Sequence, residues 1–101
     1  MPDDSSQIQI PPSFIALFVP AGRSRPTATR EHIAERYELC EDLAQMLVDT
    51  AATQRWQLGI TTADVLERVQ RGLQAMDLDT TEAERGWVLT RLTELLPPHD
   101  G

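Results

Sequence analysis

Five carboxylates share one side of the longest helix that the sequence predicts. At about 100° per residue they fall within a fan of roughly 60° around the helix axis. Like charges four residues apart, such as Glu31 and Glu35, repel by a few tenths of a kcal/mol. An arginine-bearing partner would relieve this repulsion, whereas the simpler interpretation is a solvated face that keeps the protein in solution. The five residues, called the acidic ridge below, are Glu31, Glu35, Glu38, Asp42 and Asp49.

Large apolar side chains lie beside the acidic ridge. Leu39 and Met46 fall on its flank, and Trp56 projects near the C-terminal end of the same helix. An exposed apolar strip bordered by acids is typical of a protein-binding surface. For Leu39 and Met46 we favour the alternative, in which a neighbouring helix covers them, and Trp56 could equally cap the end of the fold. Trp87, farther along the chain, is predicted at the edge of the core.

The only basic cluster in the sequence is Arg23-Ser24-Arg25, with Arg30 nearby. A guanidinium group can bind a carboxylate or phosphate through two hydrogen bonds, but it can equally pair with an acid of its own chain. The formal net charge is -7 at pH 7. Because nucleic acids and anionic membranes repel such a chain, we expect neither of them as a partner.

No arrangement of residues in the sequence indicates catalysis, a metal site or a cofactor. All nine basic residues are arginine, which excludes a P-loop lysine and a Schiff-base lysine. His32 directly follows Glu31, so the Glu-x-x-His spacing of carboxylate di-metal sites is missing. Cys40 falls on an apolar helical face, where burial makes a thiol inert. We therefore predict a protein that is not an enzyme and has no catalytic residues, metal ligands or cofactor.

One long helix must position the acidic ridge. From Thr29 to Gln57 the sequence contains neither glycine nor proline, and Gly59 supplies a stop signal. This predicts a single helix of about 28 residues. Its apolar residues recur at steps of three, four and seven on the side opposite the ridge, which predicts that this side is buried. They are Ile33, Tyr37, Cys40, Ala44, Leu47, Ala51 and Leu58.

Two shorter helices follow the long one. Thr61 with Asp64, and Thr81 with Glu84, have the spacing of a capping box and mark the two helix starts. Gly72 falls in the apolar sector of the first, where we predict that a neighbouring helix approaches closely. The predicted buried residues are Val65, Leu66, Val69, Leu73 and Met76 in the first helix, and Val88, Leu89, Leu92, Leu95 and Leu96 in the second.

The predicted fold is all-α, a small bundle of three main helices plus a short N-terminal helix near Phe14. A chain of 101 residues has room for one core, so we predict a single domain over 1–101. Within it we expect a disordered arm over 1–7 and a flexible tail over 97–101. One cysteine, no secretory signal and no long apolar run together favour a cytoplasmic location.

Three segments carry a resemblance to known proteins: IPPSFIALF at 10–18, RYELCEDLA at 36–44, and Trp87-Val88 together with Arg91-Leu92. They resemble a family of short proteobacterial proteins of unknown function, some of which are labelled "ATPase with chaperone activity". The resemblance covers about residues 8–96 and implies a small helical cytoplasmic protein without an established activity. Because the chain lacks the Walker lysine, any link to a chaperone ATPase would be as an associated subunit or adaptor rather than as the ATPase itself.

The leading hypothesis is a protein-interaction module or adaptor that docks an arginine-bearing protein through the ridge and its apolar flank. A structural homodimer, in which the long helix pairs with its copy, is one alternative. An unrecognised small-ligand binder is another, and it would need a concave pocket lined by polar groups. The candidate partner-binding residues are Glu31, Glu35, Glu38, Leu39, Asp42, Met46, Asp49 and Trp56.

Overall fold

The computed structural model describes residues 9–76 and 78–97, and all regular structure in these ranges is helical. Helix α1 spans Pro12–Ile15 and continues into a 3-10 turn over Ala16–Phe18. The three longer helices are α2 (Arg30–Leu58), α3 (Thr62–Ala75) and α4 (Glu82–Leu95). The predicted all-α fold, with one short N-terminal helix and three longer helices, is confirmed. The predicted arm over 1–7 lies outside the described residues, as does the predicted tail beyond Pro97.

The chain divides into two compact units, Met1–Leu39 and Cys40–Gly101. The boundary falls within α2, so this helix contributes residues to both units. The single domain expected from the chain length stays a prediction.

In the first unit, aromatic side chains hold the short N-terminal segment against the start of α2. The Phe14 side chain is fully buried, and its ring centroid lies 5.6 Å from those of Phe18 and Tyr37. The following loop returns to the 3-10 turn, because the backbone N–H of Thr27 donates to the carbonyl oxygen of Phe18 at 2.8 Å. A helix of four residues has little stability by itself. Tertiary packing around Phe14 therefore stabilises α1.

Local signals set both ends of α2. The Thr29 hydroxyl oxygen accepts a hydrogen bond from the His32 N–H at 3.1 Å, which satisfies one of the unpaired donors in the first turn. After Leu58 the chain enters a left-handed conformation at Gly59, with φ +63°, as is common just past a helix end. The helix predicted from Thr29 to Gln57 is thus found one residue farther along at each end.

Of the seven residues of α2 predicted to face inward, four are buried, Tyr37 and Leu47 are partly buried, and one is exposed. Ile33 in the first unit, and Cys40, Ala44 and Ala51 in the second, are buried. Leu58 is exposed, so its predicted burial is wrong. Leu58 is the last residue of α2, and the chain turns directly after it at Gly59. The helical period therefore no longer determines whether the Leu58 side chain is covered.

The core of the second unit lies between α2, α3 and α4. Ala51, Val65 and Leu92 supply one fully buried residue from each helix, and Leu96 completes the cluster. Ile60, which lies just before the start of α3, packs against this cluster. The other partly buried apolar residues around it are Leu47, Val48, Ala52, Leu66 and Val69.

Threonine caps begin α3 and α4. The Thr61 hydroxyl oxygen accepts a hydrogen bond from the Asp64 N–H at 3.1 Å. At α4 the capping box is complete, because the Thr81 hydroxyl oxygen accepts from the Glu84 N–H and a Glu84 carboxylate oxygen accepts from the Thr81 N–H, both at 3.0 Å. This reciprocal pair of hydrogen bonds explains why the charged Glu84 side chain is buried.

Two expectations for α3 are wrong. No atom of a neighbouring element lies within 4 Å of the position that a Cβ would occupy on Gly72, so no helix approaches closely there. Gly72 lies beside the buried sector of α3, on a side that is exposed. Met76 is also exposed, because α3 ends at Ala75 and the backbone of Met76 is extended.

Arg55 connects three segments of the second unit. Its Nη1 donates to the Thr62 hydroxyl oxygen at 2.8 Å, at the start of α3. Its Nη2 donates to the carbonyl oxygen of Pro97 at 2.9 Å, just beyond α4. The guanidinium group thus joins the end of α2 to the beginning of one helix and the end of another.

Candidate protein-binding face of helix α2

The ridge carboxylates are exposed in both units. Glu31, Glu35 and Glu38 lie on the surface of the first unit, and Asp42 and Asp49 lie on the surface of the second. Between residues 9–76 and 78–97, no ion pair includes a ridge carboxylate. Within each unit the ridge residues lie on α2 in the register that the helical period predicts. Their negative charges are therefore uncompensated by the described part of the chain.

A neighbouring carboxylate, Glu41, shows the contrasting arrangement. Arg91 on α4 donates from Nε to one Glu41 oxygen at 2.8 Å and from Nη2 to the other at 3.0 Å. Gln45 adds a third hydrogen bond to Glu41 at 2.7 Å. The hydrogen bonds from Arg91 hold the pKa of Glu41 below its ordinary value, although partial burial opposes this shift. Arg91 thus neutralises an acid at the core edge, about 80° around α2 from the ridge.

Sequence reasoning missed the pair between Glu41 and Arg91. The two residues are separated by 50 positions, and the helical period relates only residues on one helix. Glu41 lies between the ridge and the apolar side of α2, which marks it as a boundary residue but does not identify its partner. The partner is determined by how α4 packs.

The apolar flank is exposed, contrary to the interpretation that we favoured. Leu39 is 43% exposed and Met46 is 61% exposed, so no described helix fully covers either residue. Trp56 is 85% exposed and caps nothing in the described part of the chain. In the second unit, α3 and α4 pack on the opposite side of α2, around Ala51, which leaves the side of Met46 open. Trp87 is buried, as predicted for the core edge.

The side of α2 that belongs to the second unit combines acidic and apolar groups in a small sector. Asp42, Met46, Asp49 and Trp56 fall within about 80° around the helix axis. Their side chains are all exposed. An exposed tryptophan is the residue type most enriched among the dominant contacts of protein interfaces, and methionine adapts to irregular surfaces. The chemistry available here is protein recognition through charge and apolar contact.

The basic loop does not neutralise the ridge. Arg23 and Arg25 are exposed, and the loop turns at Gly22, which has a φ of +80°. Arg30 lines a cavity of about 120 Å³ together with apolar residues. This volume is well below the roughly 300–1,000 Å³ of pockets that bury small-molecule ligands. The other lining residues are Ile10, Ile15, Pro26, Ala28 and Ile33.

A pocket of about 170 Å³ between α3 and α4 has polar lining residues, among them Glu82 and Arg85, but it is smaller than the roughly 300 Å³ of pockets that bury small-molecule ligands. A groove of about 400 Å³ between α3 and α4 has Glu67 as its single charged lining residue. Over residues 9–76 and 78–97, no group of three or more His, Cys, Asp or Glu side chains is placed to hold a metal ion. Cys40 is buried. None of the described helices has the length and apolar character needed to cross a membrane.

No protein-family model, curated protein or solved structure matches the chain. The resemblance to short proteobacterial proteins stays a prediction, and the proposal below rests on the contacts and exposure of the chain's own residues.

Proposed function

We propose that this protein is a non-enzymatic interaction module or adaptor that binds an arginine-bearing protein through the exposed side of α2. One observation carries the proposal. The ridge carboxylates are exposed and form no ion pair with another described residue, while Leu39, Met46 and Trp56 stay exposed beside them. The binding residues are Glu31, Glu35, Glu38, Leu39, Asp42, Met46, Asp49 and Trp56.

The energetics assign different roles to the two kinds of side chain. An exposed ion pair contributes about 0.2–1 kcal/mol, so the carboxylates mainly orient the partner and accelerate its association. The apolar side chains contribute more per contact when they are buried in an interface. Met46 and Trp56, exposed by 61% and 85%, have most of their surface available for this.

The charge pattern favours a different protein over a second copy of this chain. Two copies of α2 that met through this side would bring Asp42 and Asp49 against the same carboxylates of the other copy. Opposed like charges in an interface are unfavourable by several kcal/mol. The formal net charge of -7 adds a general repulsion between copies. A basic surface on a different protein would face neither the opposed carboxylates nor the general charge repulsion.

The cellular setting is part of the proposal. A cytoplasmic location agrees with a single cysteine that is buried and forms no disulfide in the described residues. Any link to a chaperone ATPase would be as an adaptor or associated subunit, since the chain has no lysine for a Walker motif of its own.

Affinity capture with charge-reversed variants tests the proposal. Wild-type protein, Glu35→Arg/Glu38→Arg and Asp42→Arg/Asp49→Arg would each be immobilised and exposed to native cytoplasm at low and high salt. A matched control is Glu67→Arg/Glu94→Arg, which makes the same change in net charge at exposed positions of α3 and α4.

The expected result is a partner that wild type and the control retain, that both ridge variants lose, and that salt releases. Equal retention by the ridge variants and by wild type would refute the proposal. Binding that does not change between low and high salt would also count against it.

A further inference from the structure

Trp56 and Asp49 form the C-terminal part of the exposed side of α2. They are seven residues apart, which corresponds to about 10 Å along the helix and about 20° around it. Helical side chains lean toward the N-terminus, so the indole extends from Trp56 in the direction of Asp49. A partner segment lying along α2 would therefore meet an aromatic face and a carboxylate on the same line.

Neither group is engaged in the part of the chain that the structure describes. Asp49 forms no ion pair there, and Trp56 makes no ring contact with another described aromatic residue. Arg55, the neighbour of Trp56 in the sequence, donates to Thr62 and Pro97 instead. No described cation stacks on this indole, so we expect the partner to supply one.

The two groups distinguish arginine from lysine. A guanidinium is planar and weakly hydrated, stacks on an aromatic face, and can donate two parallel hydrogen bonds to a carboxylate. An ammonium group is compact and strongly hydrated, and it can do neither as well. We infer, on the basis of the function proposed above, that Trp56 and Asp49 select arginine over lysine in the partner. One guanidinium stacks on the indole, and a second, about two helical turns away, pairs with the carboxylate.

Two synthetic helical peptides test this inference directly. One is an alanine-rich helix with two leucines and with arginines seven positions apart; its twin carries lysine at the same two positions. Each peptide carries a fluorescent label, and its binding to the full chain is measured by anisotropy at low ionic strength. The arginine peptide should bind about fivefold more tightly, since an exposed cation–π contact is worth up to about this factor.

Variants locate the source of the selectivity. Trp56→Leu keeps an apolar side chain but removes the aromatic face, and should bring the two peptides to within about twofold of each other. Leu58→Ala is the matched control, because Leu58 is an exposed apolar residue about 160° around the same helix. It should leave the fivefold ratio unchanged.

The outcomes separate this inference from the proposed function. If the two peptides bind equally and Asp42→Arg/Asp49→Arg weakens the binding of both, the arginine selectivity is overturned. The proposed binding face on α2 is then still supported. Selectivity that persists in Trp56→Leu would overturn the role of the indole. If neither peptide binds at low ionic strength, or if Asp42→Arg/Asp49→Arg does not weaken the binding, this part of α2 does not bind a basic partner. Both the proposed function and the arginine selectivity are then refuted for this part of the helix.

Discussion

The ion pair between Glu41 and Arg91 joins α2 to α4 within the second unit, and its removal should destabilise the fold. The perturbation is Glu41→Gln, which keeps the side-chain volume but removes the charge. The Glu41 side chain is 18% exposed and that of Arg91 is 31% exposed. The pair is therefore intermediate in burial. Exposed ion pairs contribute up to about 1 kcal/mol to stability, and disrupting a buried pair costs about 3–5 kcal/mol. We expect a loss of about 1–3 kcal/mol in the free energy of unfolding at pH 7.

The pH dependence follows from the direction of the pKa shift of Glu41. Arg91 lowers this pKa in the folded state, so the folded state favours the ionised carboxyl more than the unfolded state does. Stability from the pair is fully present above the ordinary glutamate pKa of about 4.3 and is lost as the pH falls through the folded-state value. The difference between wild type and Glu41→Gln should thus be constant near neutrality and shrink in acid.

Urea unfolding followed by far-ultraviolet circular dichroism at pH 7, 5 and 3 measures this difference. Glu94→Gln is the control, because Glu94 accepts a single hydrogen bond from Arg91 at 3.2 Å and is 61% exposed. It should change the stability by less than about 0.5 kcal/mol. A Glu41→Gln variant as stable as wild type at pH 7 would refute the reasoning. So would a destabilisation as large at pH 3 as at pH 7.

Four further substitutions test the local structure by urea unfolding. Gly72→Ala should stabilise the protein by about 0.5–1 kcal/mol, since the site is helical and open, whereas Gly59→Ala should destabilise it because φ is +63°. Thr81→Ala should cost about 1–2 kcal/mol, because it removes the hydroxyl oxygen that accepts the Glu84 N–H at the start of α4. Trp56→Leu should leave the stability within about 0.5 kcal/mol of wild type, since the side chain is 85% exposed.

Each of these expectations has a clear contrary result. A Gly59→Ala variant as stable as wild type would show that a Cβ is tolerated at the left-handed turn after α2. A destabilising Gly72→Ala would mean that a partner helix does approach that side of α3. A neutral Thr81→Ala would show that the capping box contributes little to α4. A strongly destabilising Trp56→Leu would place the indole inside a packed structure and would remove the exposed anchor from the proposed binding face.

Local sequence signals accounted for the helices. Thr61 and Thr81 predicted the starts of α3 and α4, and Gly59 predicted the stop of α2. Capping and backbone strain act over three or four residues, so they can be recognised without knowing where other helices lie. The period of 3.6 residues likewise placed the acidic ridge and the buried residues Cys40 and Ala51 on opposite sides of one helix.

Tertiary packing decided which side of each helix is covered and which charges are neutralised. Leu39 and Met46 are exposed, and Gly72 has no close neighbour, although the periodicity was compatible with contacts at all three positions. Arg91 pairs with Glu41 and leaves the ridge unpaired. The physical reason is that periodicity is a property of one helix, whereas coverage and ion pairing depend on where a second helix packs. That position follows from the summed contacts of residues far apart in the chain.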